Sequence, residues 1–394
     1  MKDNRLLLMV MAWLTILPLA AQKKEISQAR TILKNKKNVQ QAEQLMTRLL
    51  KDSVNQTNQR IYELWYESVL MQYEAANEKM YLKQKQDTAD FFALTQRMFN
   101  VAWALDSLDA RPDKKGRVSP ELRSRHASQL IAYRPNLFFG GTYHTRKGNY
   151  DKAYSLFETY MDCVSQPLFS GYRLDSVDTR LPEAAYWATY CGYRKHDPVL
   201  TLRHRLLALQ DTTKTALTLQ YMAEARGWLN DDSLYYETLK AGFARFPESQ
   251  YFFPRLVDYY NVHRQYTDAL SVIDSALAAN PRWELALYAK SNALMSLERF
   301  AESIAVSDSL IALNDTMPDA YYNAGTAHLN LALQLNARKD KKKLRTHYQQ
   351  ARTYMERYRQ LMPDERQKWG PALYRIYLNL NMGRQFDEID RLLR

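Results

Sequence analysis

Histidine and cysteine supply most metal-ligand and nucleophilic chemistry, and this 394-residue chain has seven of the first and two of the second. The histidines are His126, His144, His196, His204, His263, His328 and His347. None has a second histidine or a cysteine three or four residues away, the spacing that sets two metal ligands on one helix face. His196 and Asp197 fall in a turn where the imidazole could titrate, but no nucleophile accompanies them. Cys163 and Cys191 are expected at different heights on neighbouring helices. A bridge needs Cα atoms within about 7 Å, so two buried free thiols are expected. The stretch Gly140-Gly141-Thr142 to Lys147-Gly148 lacks the Gly-Lys-Ser/Thr ending of a phosphate loop. With no serine elbow or catalytic-cysteine signature either, the chain reads as a non-enzyme with no catalytic residues, no cofactor and no metal.

What the sequence does carry is a period. Asp258, Asn292 and Thr326 recur at a constant 34-residue step, as do Phe253, Leu287 and Tyr321, and Tyr260, Leu294 and His328. The small residues Ser291 and Gly325 keep the same step. Within a unit, Phe253, Leu256, Val257 and Tyr260 have helical spacing. A polar turn follows, and Tyr266, Ala269, Val272, Ile273 and Ala276 form a second apolar stripe before Asn280-Pro281. Ala269 and Ala276 are small enough to let neighbouring helices approach closely. A fixed period of this length, with two helices per unit, predicts an all-α solenoid of stacked antiparallel helix pairs. Eleven glycines and 13 prolines in 394 residues agree with an all-helical chain.

The pattern resembles the tetratricopeptide repeat (TPR), carried by Phe253, Leu256, Val257, Tyr260, Tyr266, Ala269, Ile273, Ala276 and Pro281. The next unit matches through Leu287, Ser291, Leu294, Phe300, Ser303 and Leu310, with Pro318 arriving three residues late. Upstream, Leu137, Gly141, His144, the Gly148-Asn149-Tyr150-Asp151-Lys152-Ala153 run, Phe157 and Tyr160 match again. The resemblance implies a right-handed superhelix. Residues 22–120 are expected as a helical region of degenerate repeats, and 121–394 as the TPR-like array, best formed over 253–330. The pattern resumes at Ala351, Met355 and Tyr358, 14 residues late, which places an insertion at about 336–350.

In such arrays the first helix of each pair lines the concave groove, and polar residues there grip peptides. Projecting the register puts Asp258, Asn261, Tyr288, Asn292, Tyr322, Asn323, Thr326 and Tyr374 on that face. Asn292 and Asn323 match asparagines that some family members use to hold a peptide's terminal carboxylate, but Tyr288 stands where the accompanying lysine belongs, so that clamp is incomplete. The 28 tyrosines are expected mostly to wedge between helices with their hydroxyls reaching solvent.

Lys2 and Arg5, the apolar run Leu6–Leu17 and the segment Pro18-Leu19-Ala20-Ala21 have the order of a secretory signal peptide. The 16 residues from Leu6 to Ala21 fall short of the roughly 20 that span a bilayer. Cleavage near Ala21 would leave a periplasmic or secreted protein, and no cysteine near that point could take a lipid anchor. Net charge is +12, densest at Arg338, Lys339, Lys341, Lys342, Lys343 and Arg345 within the insertion. That run suits a solvated helix extension, or contact with an anionic glycan or the cell-envelope surface. Nucleic acid is not expected, since no interleaved aromatic and basic motif occurs. The sequence therefore predicts a secreted, bacterial-type TPR protein acting as an extracytoplasmic scaffold for a protein or peptide, with carbohydrate or envelope binding as the alternative.

Overall fold

The computed structural model describes residues 22–394; the leader expected at 1–21 lies outside them. Among the described residues all regular structure is helical, and the fold is an all-α helical solenoid of TPR-like pairs. The chain forms two compact units that divide between Leu229 and Asn230.

The first unit begins with α1 (22–35), α2 (Val39–Leu49), α3 (Gln59–Tyr81) and α4 (Thr88–Asp109). After an exposed loop come α5 (Arg123–Tyr133), α6 (Pro135–Arg146) and α7 (Tyr150–Asp162). A 3-10 turn and the short α8 (Leu174–Val177) lead to α9 (Leu181–Arg194), α10 (Pro198–Arg203), α11 (Arg205–Ala208) and α12 (Thr215–Trp228). Local chemistry sets several starts. The Asp87 carboxylate caps α4 by accepting from the backbone N–H groups of Ala89 and Asp90, and Asp197 caps α10 through Leu200 N–H. Pro135 divides α5 from α6, because its ring nitrogen has no hydrogen to donate to the previous turn.

The second unit contains α13 (Asp232–Arg245), α14 (Phe252–Val262), α15 (Tyr266–Ala279), α16 (Glu284–Ser296) and α17 (Phe300–Leu313). It continues with α18 (Pro318–Gln334), α19 (Lys341–Leu361), α20 (Arg366–Asn379) and α21 (Gly383–Leu393). Pro318 does not terminate α17, which already ends at Leu313. It opens α18 at the first helical position, where its missing N–H costs nothing. The core runs along the seam of successive helices: Phe253, Val257, Ile273 and Leu294 in one stretch, and Met355, Tyr358, Leu373 and Ile376 in another.

The insertion is a lengthened hairpin. The 34-residue step maps the end of α16, Ser296, onto residue 330, whereas α18 runs on to Gln334. The delayed register maps Phe300 onto Tyr348, whereas α19 already begins at Lys341. The 14 extra residues are thus four on α18, three in the loop and seven on α19. At 1.5 Å per residue, α19 gains about 10 Å.

Candidate binding face

A left-handed residue closes successive hairpins and defines the register independently of side chains. His196 and Asn230 have φ of +54°, and Arg264 and Glu298 have +58°; the four keep the same constant step as the side-chain pattern. In each of the three hairpins closed by His196, Arg264 and Glu298, the next residue's N–H returns to a carbonyl five residues back. These bonds are Asp197 to Gly192 (3.0 Å), Gln265 to Tyr260 (2.8 Å) and Arg299 to Leu294 (2.9 Å). This end-of-helix motif satisfies orphan carbonyls and fixes the angle at which the second helix leaves. The repeat therefore extends upstream of residue 253 to α9, where the side-chain pattern had decayed.

Small residues inside several hairpins set how closely the two helices meet. A Cβ built on Gly325 would lie 2.9 Å from Met355 Cγ, and one on Gly192 would lie 2.4 Å from the backbone nitrogen of Thr201. In the α16–α17 hairpin the position of Gly325 is taken by Ser291, whose hydroxyl meets Ser307 Oγ at 2.9 Å and Ser303 Oγ at 3.2 Å.

Of the residues assigned to the groove, Asp258 is exposed, and Asn261, Tyr288, Asn292, Tyr322 and Thr326 are half-buried on the first helices α14, α16 and α18. Two assignments change. Asn323 is 7% exposed; its side-chain amide donates to Ser291 Oγ at 3.0 Å and to Asn292 Oδ1 at 2.8 Å. It ties α16 to α18 and is not available to a ligand. Tyr374 packs on Phe386 of α21, with ring centroids 4.6 Å apart. The left-handed turn residue Asn381 shows why: counting back from it puts Tyr374 at the hairpin-facing position of Val257 and Ser291, not at that of Tyr322. The ring of Tyr322 lies 5.1 Å from that of Tyr358, so it is partly committed to the core.

Sequence spacing missed one polar pair. His328 Nδ1 and His347 Nδ1 are 3.0 Å apart across the lengthened hairpin. His328 also stacks on Tyr354, whose hydroxyl donates to Asp308 at 2.6 Å. Burial, then the neighbouring His347, pushes His328 down to about 4, and burial also lowers His347. His328 was expected as a packing residue. Its ring faces His347 across the lengthened α18–α19 hairpin. His144 does pack, 2% exposed between α6 and α7. Among the described residues no cluster of three or more potential metal ligands occurs.

The first unit is organised differently. Arg134, 5% exposed, donates to Asp178 Oδ2 at 2.6 Å and to the Tyr160 carbonyl at 3.0 Å. Its guanidinium lies 3.7 Å above the Tyr160 ring, whose hydroxyl donates to the same Asp178 oxygen at 2.7 Å. Burial alone would raise Asp178, but hydrogen bonds from Tyr160, the Arg180 backbone and Arg134 outweigh it and hold the carboxyl below its usual range. Along α9 and α12, Tyr193 stacks on both Tyr221 (4.5 Å) and Trp228 (5.7 Å), and Arg194 covers Tyr150 at 4.8 Å. These rings spend their faces on one another. Cys163 and Cys191 are free and buried, and burial pushes their thiols up to about 12 and about 11; both are inert at neutral pH.

Paired helices, a common left-handed turn and a small residue inside the hairpin define a TPR-like helical-repeat protein. No protein-family profile matches the sequence, and no curated protein matches it. Among solved structures, the C-terminal part of a TPR repeat-containing protein from Cytophaga hutchinsonii aligns over 64% of this chain and 92% of its own, at 12% identity and a TM-score of 0.44. MamA from Desulfovibrio magneticus aligns over 45% of this chain and 96% of its own, at 17% identity and a TM-score of 0.33. The human IFIT1 dimer with PPP-AAAA aligns over 82% and 71%, at 12% identity and a TM-score of 0.36.

Proposed function

We propose that this protein is a non-catalytic, extracytoplasmic TPR-like scaffold, which holds an extended protein segment against the first-helix face of its second unit. The observation that carries this reading is the recurrence of Asp258, Asn292 and Thr326 at one register position, outside the core, with Tyr288 and Tyr322 beside them. Carboxylate, amide and hydroxyl groups at a regular spacing can meet the repeating N–H and C=O groups of an extended chain. Half-buried tyrosines add rigid apolar contact at little entropic cost. Carbohydrate binding is less well supported, because the densest aromatic cluster, on α9 and α12, stacks its rings on each other. The extracytoplasmic location rests on the order Lys2, Arg5, Leu6–Leu17, Ala20-Ala21.

The test is crosslinked capture of partners by tagged protein, beside an Asp258→Ala/Asn261→Ala variant. Neither side chain holds another helix in place, whereas Asn292 supports the buried Asn323. A stoichiometric protein lost from the variant, with an unchanged melting curve, is the expected result. Full retention by the variant would remove this face from consideration. A mature chain recovered outside the cytoplasm and beginning at Gln22 is the expected location result; an intact Met1 on cytoplasmic protein would overturn it.

A further inference from the structure

The lengthened α18–α19 hairpin carries Arg338, Lys339, Lys341, Lys342, Lys343 and Arg345, all exposed. Elsewhere in the second unit cations are commonly paired: Lys290 with Asp274, Arg299 with Glu302, and Arg359 with Glu388. None of the six at the tip forms an ion pair among the described residues. The one carboxylate in this stretch, Asp340, accepts from the backbone of Asn336. Three of the lysines also occupy the first turn of α19, where no acidic residue offsets the helix dipole and the positive end disfavours further positive charge. This arrangement gives the hairpin nothing in stability. Beside it, on the added last turn of α18, Leu333 is 54% exposed.

We infer that this hairpin tip is a docking surface for an anionic phospholipid bilayer, with the six cations over the headgroups and Leu333 inserted among them. Four to eight clustered cations suffice for attraction to anionic lipid, and a small apolar contact adds depth. A polyanionic glycan would engage the cations equally but would draw little from Leu333. Leu333 lies about two helical turns beyond Thr326 on α18, but the lipid contact does not depend on the first-helix reading. No described helix is long and apolar enough to cross a membrane, so the contact proposed is peripheral.

The experiment is cosedimentation of the chain from Gln22 onward, which contains every described helix, with phosphatidylcholine vesicles with and without phosphatidylglycerol. Starting at Gln22 keeps the apolar N-terminal segment from binding lipid itself. Binding to the anionic vesicles alone, lost at high salt, is expected. Lys341→Gln/Lys342→Gln/Lys343→Gln/Arg345→Gln should weaken it at least about tenfold, since charge near the surface supplies most of the attraction. Leu333→Asn should weaken it by about threefold at unchanged charge. Equal binding to neutral and anionic vesicles, or wild-type binding by the quadruple variant, would overturn the inference. So would retention on a polyanionic polysaccharide column without vesicle binding, which would assign the tip to a glycan. A circular dichroism melt of each variant separates loss of binding from loss of fold.

Discussion

The two units solve the same packing problem with different chemistry. In the second, the α16–α17 and α18–α19 hairpins meet through small residues at one register position, Ser291 and Gly325, and the polar groups there are neutral hydroxyls and amides. In the first, a buried guanidinium, a carboxylate and a tyrosine hydroxyl clasp α5, α7 and the segment after α8, while stacked rings fill the space beside α9. Small residues propagate a repeat because each hairpin reproduces the gap the next one needs. An ionic clasp is a single solution to one junction. It leaves no periodic trace, and this is why the first unit reads as degenerate repeats.

The contrast can be broken most severely on the ionic side. Asp178→Ala should cost about 3 kcal/mol in urea unfolding, because it strands the buried Arg134 charge. In the second unit, Gly325→Leu should cost about 2 kcal/mol, since Met355 is fully buried and must be displaced. A Gly325→Leu loss above that of Asp178→Ala would show that the register position, not the clasp, is the tighter constraint. Smaller still, Ser291→Ala should cost about 1 kcal/mol by leaving Asn323 and two serines short of a partner. An unchanged midpoint would mean those hydroxyls are satisfied elsewhere.

Acid should sharpen the comparison by the smallest margin. His328 and His347 are held below the ordinary 6.5, so the native state binds fewer protons than the unfolded chain. Stability is therefore lost as pH falls from 6.5 towards about 4, the value for His328. Buried His126, His144 and His204 shift the same way in the first unit, so both units should weaken over that range. The depressed Asp178 adds a loss only below the usual carboxylate range. His347→Gln should flatten part of the decline in melting temperature between pH 7 and 5; an identical decline would show that the pair does not titrate there.

Periodicity made the helix pairs of residues 253–330 legible, and with them the lateral position of Asp258, Asn292 and Thr326. The N-terminal leader and the partner were read from chemistry that the helices themselves do not address. Asn323 escaped because one helical step separates a groove residue from an interhelix one, and its fate depends on Ser291 in the preceding repeat. Tyr374 escaped because the insertion had broken the count, and only the left-handed Asn381 restores it.

The sequence alone determined that apolar stripes at helical spacing would pair at one constant period, since burying such a stripe requires a neighbour with the same period. Only the tertiary structure decided how the inserted residues would divide between two helices and a loop, because many partitions preserve the same apolar pattern. Across that hairpin His347 meets His328, and at its tip six cations form no ion pair among the described residues. The charged run was legible in the sequence, but the histidine contact joins two helices, and local spacing carries no information about it.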